Sequence, residues 1–111
     1  MINAGQISEI LSLYAKHGWT LRRVLLSDAV RVALTDALQD LFGGAEIVSS
    51  RLNALWFSRA SAKSGETWEI RHLSQTPFAL VQVFAADTDA PTREEILNET
   101  QIRLLEQTSK S

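Results

Sequence analysis

Three strand-like runs of hydrophobic residues lie between Ala54 and Ala85, and this pattern predicts an antiparallel β-meander. The runs are ALWFSRA, TWEIRHL and PFALVQVFA. They are rich in Val, Ile, Phe and Trp, whose branched or flat side chains suit a half-buried pleated surface. Turn-forming residues separate the runs. Gly65 would permit a positive φ, and Pro77, which has no N–H to donate, is expected at the start of the third strand.

The third run of this meander is apolar on both faces. From Phe78 to Phe84, the polar exception is Gln82. A short continuous apolar run is typical of a strand that other elements cover on both sides. We therefore expect this strand to be the most buried one.

Apolar residues that recur at intervals of three to four positions predict a first helix over residues 4–17. Asn3 and Gln6 have the spacing of a capping box at its start, and Gly18 is expected to end it in the left-handed conformation. A strand follows at 19–26, with the sequence WTLRRVLL. Alternation gives it apolar residues on both faces, so we expect both faces to be covered.

This strand contains two adjacent arginines, Arg22 and Arg23. Strict alternation would send them to opposite faces, and one would then point towards the less exposed side. The sequence does not decide which of the two does so. Strict alternation would also place Trp19, Leu21 and Leu25 on one face of the strand, and Val24 and Leu26 on the other.

Two more helices are predicted. One runs over 28–42 and stops at Gly43, since glycine favours the left-handed end of a helix. The other runs over 92–107, where Thr92 and Glu95 repeat the capping-box spacing. Its apolar stripe is narrow, so we expect it to be buried along one side.

The predicted fold class is therefore α+β. One domain, residues 1–111, has the order α-β-α-β-β-β-α, and a mixed sheet contains the three-stranded antiparallel meander flanked by helices. Residues 108–111 are expected to fray. The segment 45–53 could form a separate strand or run into the meander through a bend, and the pattern leaves both open.

The first hairpin of the meander has two possible registers, which differ by one residue and reverse the faces. Pairing Trp56 with Ile70 would put Glu69 and Arg71 beside Leu55 and Phe57. Pairing Phe57 with Ile70 collects the apolar side chains on one face, so we expect this second register. It places Trp56 opposite Arg71 on the other face, and it places Trp68 in the core.

Composition narrows the function classes. The 111 residues carry a formal charge of −2 with a pI of about 5.6, which provides no broad basic surface for nucleic acid. There is no cysteine, so disulfides, thiolate zinc sites and cysteine nucleophiles are excluded. The sequence shows no signal peptide and no apolar run long enough to cross a membrane. We expect a cytoplasmic protein that binds neither nucleic acid nor membrane.

No recognised catalytic pattern is present. The serines lack a nucleophile elbow, and the glycines lack the spacing of a phosphate loop. His17 and His72 are isolated, so we expect no metal and no cofactor. An enzyme or ligand-binding domain would instead have to gather charged side chains of the sheet around one pocket. The candidates are Arg22 or Arg23, Arg59, Glu69, Arg71 and His72.

The favoured hypothesis is a non-catalytic protein-interaction or adaptor module that self-associates through a sheet face or the C-terminal helix. Trp and Arg are enriched in interface hot spots. We therefore expect a partner-binding surface of Trp56, Arg59, Glu69 and Arg71, and a homodimer, because two-fold pairing is the commonest way to bury such a patch. The sequence does not identify a further protein partner.

Overall fold

In a computed structural model, which describes residues 3–74 and 78–109, α-helices pack on both faces of a five-stranded mixed sheet. The strands are β1 Thr20–Leu26, β2 Glu46–Ser49, β3 Ala54–Ala60, β4 Glu66–His72 and β5 Ala79–Phe84. They lie in the order β2-β1-β3-β4-β5, with β1 and β2 parallel and the other neighbours antiparallel. The predicted fold class is confirmed. The segment that the sequence left open contributes β2 as a separate strand.

In the described part of the chain, four α-helices flank the sheet: α1 Ala4–Lys16, α2 Asp28–Ala33, α3 Leu38–Phe42 and α4 Ala90–Ser109. The capping box of Asn3 and Gln6 is present, and Gly18 has a φ of +84°. The helix predicted over 28–42 is interrupted by a 3-10 turn at Thr35–Ala37. The hydroxyl of Thr35 bonds back to carbonyl oxygens of the preceding turn, a contact that tends to bend helices.

Helix α4 is longer than predicted at both ends. Asp89, and not Thr92, provides its N-cap, because the Asp89 carboxylate accepts a hydrogen bond from the Thr92 amide at 2.9 Å. The helix continues to Ser109, where the sequence had predicted fraying from 108. Residues 110 and 111 and the predicted strand start at Pro77 lie outside the described residues.

Each face of the sheet has its own apolar core. The first core packs α1, α2 and α3 on the side chains of Val24, Leu26, Leu55 and Phe57. The second packs α4, through Leu97 and Leu104, on Leu25, Trp56, Trp68 and Ile70. As a result β3 is buried on both faces from Ala54 to Ser58.

The predicted register of the first hairpin is wrong. Trp56 pairs with Ile70, and Phe57 pairs with Glu69. Face matching could not decide the register, because helices cover both faces of β3 and either set of its side chains is buried. Trp56 therefore points towards α4 and is fully buried, while Arg71 lies on the opposite face.

The prediction that the third meander strand is the most buried is also wrong. This strand, β5, is an edge strand, and Val81 and Val83 are 50% and 69% exposed. Helix α4 packs on one of its faces, but the first core does not extend to the other. The apolar composition of β5 therefore does not indicate burial on both faces, because the monomer covers one face of this strand and leaves the other exposed.

A β-bulge in β1 changes the predicted faces of that strand. Leu21 pairs with Phe57 and Arg23 pairs with Trp56, so Arg22 is the extra residue. The bulge shifts the alternation by one position, which places Trp19 and Leu21 with Val24 and Leu26 in the first core. Leu25 points the other way, towards α4.

Gly65, in the loop between β3 and β4, does not adopt a positive φ; its φ is −78°. Lys63 and Ser64 occupy the left-handed region instead, with φ of 58° and 63°. Gly65 is required by a close approach, because a Cβ atom there would lie 2.4 Å from the carbonyl oxygen of Phe84. This glycine brings the start of β4 against the end of β5.

Candidate functional site

Two groups of polar side chains stand out, one on each side of the sheet. On the α1 side, the part of the sheet over β4 and β5 is left uncovered. We call this surface the open half, and it comprises Thr67, Glu69, Arg71, Val81 and Val83. On the α4 side, three arginines gather around the ring of Trp68. We call this group the arginine cluster, and it comprises Arg22, Arg23 and Arg93.

The open half borders α1 through one polar contact. The Tyr14 hydroxyl donates a hydrogen bond to the Glu69 carboxylate, and the Tyr14 ring stacks on Phe57 with centroids 4.0 Å apart. Burial, and then the hydrogen bond to Glu69, raise the pKa of Tyr14 far above its ordinary value. Tyr14 is therefore a neutral donor that fixes Glu69 at the boundary between covered and open sheet.

The predicted partner-binding residues do not form one surface. Trp56 is buried, and its indole N–H donates to Gln101 of α4 at 2.8 Å, so its predicted surface position is wrong. Arg59, Glu69 and Arg71 do share a face. Arg59 lies over the Trp19 ring at 4.4 Å and donates to the His17 carbonyl, while Arg71 donates to the His72 carbonyl.

The charged residues named for an enzyme or ligand pocket are likewise divided between the two faces. Arg22 and Arg23 lie on the α4 side, whereas Arg59, Glu69 and Arg71 lie on the α1 side. His72 pairs with Ala54 and follows Trp68 and Ile70 on the α4 side. Burial, and then the charge of Arg71, lower the pKa of His72. The six residues therefore do not surround a single pocket.

The arginine cluster depends on the bulge in β1. Because the bulge interrupts the alternation, neither adjacent arginine is turned towards the first core. The guanidinium carbons of Arg22 and Arg23 lie 4.7 and 5.9 Å from the centroid of the Trp68 ring. Arg93, from the first turns of α4, adds a third guanidinium at 5.6 Å. Bulges commonly redirect a side chain beside a functional site.

Carboxylates accompany these arginines. Arg23 donates a hydrogen bond to Glu94 and lies 3.5 Å from Glu46. Glu66 lies between the other two arginines, 3.8 Å from Arg22 and 3.7 Å from Arg93. The hydrogen bond from Arg23, together with neighbouring positive charge, lowers the pKa of Glu94.

Arg93 and the three carboxylates that accompany the arginine cluster, Glu46, Glu66 and Glu94, were missed from the sequence. Glu46 and Glu66 are single charged residues in stretches of ordinary composition, and Arg93 and Glu94 belong to a short charged run at the start of a helix. No spacing relates β4 to the start of α4. The adjacent arginines of β1 were the available signal. Their shared direction could not be recognised, because it depends on a bulge that the alternation pattern does not reveal.

Comparison with known proteins gave no match to any family model, to any curated protein or to any solved structure. Within residues 3–74 and 78–109, no three side chains of the His, Asp and Glu type come together as a metal site requires. Over the same ranges, no helix is both long and apolar enough to span a membrane.

Proposed function

We propose that this chain is a non-catalytic protein-interaction module that self-associates, with two copies pairing through the outer edge of β5. The observation that carries the proposal is the sequence of that edge strand, ALVQVF, which contains neither a charged residue nor a proline. Edge strands of monomeric proteins are usually blunted by charges, prolines or bulges, because their free main-chain groups can pair with another strand.

The free groups of β5 can be located from its pairing with β4. The His72 amide donates to the Phe78 carbonyl at 2.9 Å. Hydrogen-bonded pairs alternate along an antiparallel ladder, so the N–H and C=O groups of Ala79, Val81 and Val83 point away from β4. These groups would form the ladder with a partner strand.

A second copy of the chain, related by a two-fold axis beside Val81, would pair with these free main-chain groups. Val81 would face its own copy and Ala79 would face Val83, in a symmetric antiparallel ladder of the kind that a two-fold interface requires. The exposed side chains of Val81 and Val83 would then meet on the open half, with no like charges between the paired strands. The two sheets would become one sheet of ten strands.

The other parts of the chain suit pairing less well. The opposite edge strand, β2, has only four residues. One of them is Glu46, whose carboxylate forms an ion pair with Arg23. The apolar stripe of α4 packs on the sheet of its own chain, which leaves less apolar surface on this helix for a partner. We therefore place self-association at β5 and include in the proposal a cytoplasmic location, which the absence of cysteine permits.

The proposal is tested with Val81→Lys, measured by sedimentation velocity at several micromolar concentrations. The Val81 side chain points to solvent in the monomer, so lysine leaves the fold intact. In the symmetric pair, the two-fold axis would bring two lysine charges together, which destabilises a ladder when like charges lie opposite. We expect the natural protein to be a dimer and Val81→Lys to be a monomer.

Val32→Lys is the matched control, because Val32 is 74% exposed on α2, away from β5. This variant should remain a dimer. A natural protein that stays monomeric at high concentration would contradict self-association. A Val81→Lys protein that still dimerises would show that the interface lies elsewhere.

A further inference from the structure

We propose that the pocket beside the arginine cluster binds a small compound through a single carboxylate group. The pocket has a volume of about 230 Å³ and lies between the β3–β4 loop, the end of β5 and the start of α4. Its lining includes Ser64, Gly65, Glu66, Thr88 and Arg93. It lies on the α4 side of the sheet, so this inference does not depend on the proposed pairing through β5.

The charges around the pocket are paired unevenly. Arg23 is met by Glu94 through a hydrogen bond and by Glu46 at 3.5 Å. Arg22 and Arg93 share one carboxylate, that of Glu66. The three arginines and three glutamates balance in total, so an anion would be recognised through the hydrogen-bond donors of Arg93 and not through an excess of positive charge.

Arg93 has hydrogen-bonding capacity that the described residues leave unused. Its Nε lies buried without a hydrogen-bond partner among the described residues. Its ion pair with Glu66, at 3.7 Å, is longer than a hydrogen bond. A guanidinium presents five N–H donors in a planar fork that matches an oxyanion. Arg93 lines the pocket, so a ligand carboxylate would accept hydrogen bonds from its terminal N–H groups, whereas the buried Nε is not open to a ligand.

The size and chemistry of the pocket suit a small anion. Its volume lies just below the range of about 300 to 1,000 Å³ that drug-sized ligands occupy. Ser64 and Thr88 supply hydroxyl groups that can donate to an oxyanion. The start of α4 is already capped by Asp89, so the anion would be held by side chains and not by free helix amides.

A carboxylate fits this lining better than a phosphate does. Glu66 forms part of the wall, and its carboxylate would repel the second negative charge of a phosphate at neutral pH. The same carboxylate can accept a hydrogen bond from a hydroxyl or ammonium group elsewhere on the ligand. The pocket thus favours a small hydroxy acid or amino acid over an inorganic dianion.

The test uses sodium acetate as the probe, and proton–nitrogen NMR spectra of the full chain as the measurement. Sodium chloride at equal ionic strength and sodium phosphate provide parallel titrations. We expect the Gly65 amide and the Trp68 indole N–H signals to shift and saturate with acetate but not with chloride. Arg93→Gln should weaken acetate binding at least tenfold.

Arg103→Gln is the matched control, because it removes an exposed arginine from the same helix. It should bind acetate as the natural protein does. Thr88→Val, which removes a hydroxyl from the lining and keeps the side-chain shape, should weaken binding several-fold and replaces Arg93→Gln if that variant does not fold. Shifts that follow chloride, saturation with phosphate alone, or unchanged acetate affinity in the folded variant of Arg93 or Thr88 would overturn the proposal.

Discussion

Two tryptophans occupy equivalent positions in the structure, although the predicted register placed them on opposite faces of the sheet. Trp56 and Trp68 are both almost fully buried beneath α4, and their rings meet edge to face with centroids 6.1 Å apart. Their indole N–H groups are also partnered, by Gln101 at 2.8 Å and by Glu66 at 3.4 Å. Large aromatic residues in such positions dominate the stability of a core, and their polar tips need a partner when buried.

We therefore predict that Trp56→Ala and Trp68→Ala destabilise the fold to a similar extent, each by about 3 to 5 kcal/mol. Each change removes a large buried side chain and leaves a cavity. Urea unfolding followed by circular dichroism gives the free energy of unfolding. Trp19→Ala is the comparison, because Trp19 is half-buried under Arg59 and should cause a smaller loss. A loss for Trp56→Ala no larger than that for Trp19→Ala would contradict the register in the structure.

Elements, as opposed to their mutual arrangement, were largely predictable. The capping box at Asn3, the left-handed Gly18 and the stripe of α4 each depend on neighbours within a few residues. The register of β3 against β4 depends on the loop that joins them. There the left-handed conformations fall on Lys63 and Ser64, and the loop closes with the Ser61 amide donating to the Gly65 carbonyl at 2.9 Å.

That loop provides a test at the scale of the hairpin. We predict that Gly65→Ala destabilises the fold by about 1 to 3 kcal/mol, as overpacking does in tight sites. The new methyl group would lie 2.4 Å from the Phe84 carbonyl oxygen, which is backbone and can move only with β5. Gly44→Ala is the control, since a Cβ there meets no atom within 4 Å. Thermal unfolding compares the two, and equal stabilities would show that the loop is not tightly packed.

At the scale of the whole molecule, the fold class could be predicted from the order of helix and strand patterns along the sequence. The arginine cluster and the open half could not. The two arginines of β1 reach the same side as Arg93 only through a bulge, and the exposed valines of β5 follow from its place at the sheet edge. Both facts depend on which strands are neighbours. The candidate site therefore moved from Trp56 to residues that no local pattern distinguished.

The groups with altered pKa values also act on the stability of the whole fold. Burial, and then the charge of Arg71, lower the pKa of His72 below 6.5, so the folded state binds fewer protons there than the unfolded chain. Its contribution to stability is complete above pH 6.5 and declines as the pH falls. Tyr14 acts in the opposite range. Burial raises its pKa above 10.0, so its contribution is complete below pH 10 and declines above it.

We therefore predict a plateau in the free energy of unfolding between about pH 6.5 and pH 10, with a decline on each side. Urea unfolding across this range measures it. His72→Gln should flatten the decline just below pH 6.5, and Tyr14→Phe the decline above pH 10. Asp89 and Glu94, whose pKa values are lowered, extend the acid loss below their ordinary values of 3.8 and 4.5. A His72→Gln protein that retains the full decline between pH 6.5 and 5 would show that another group carries it.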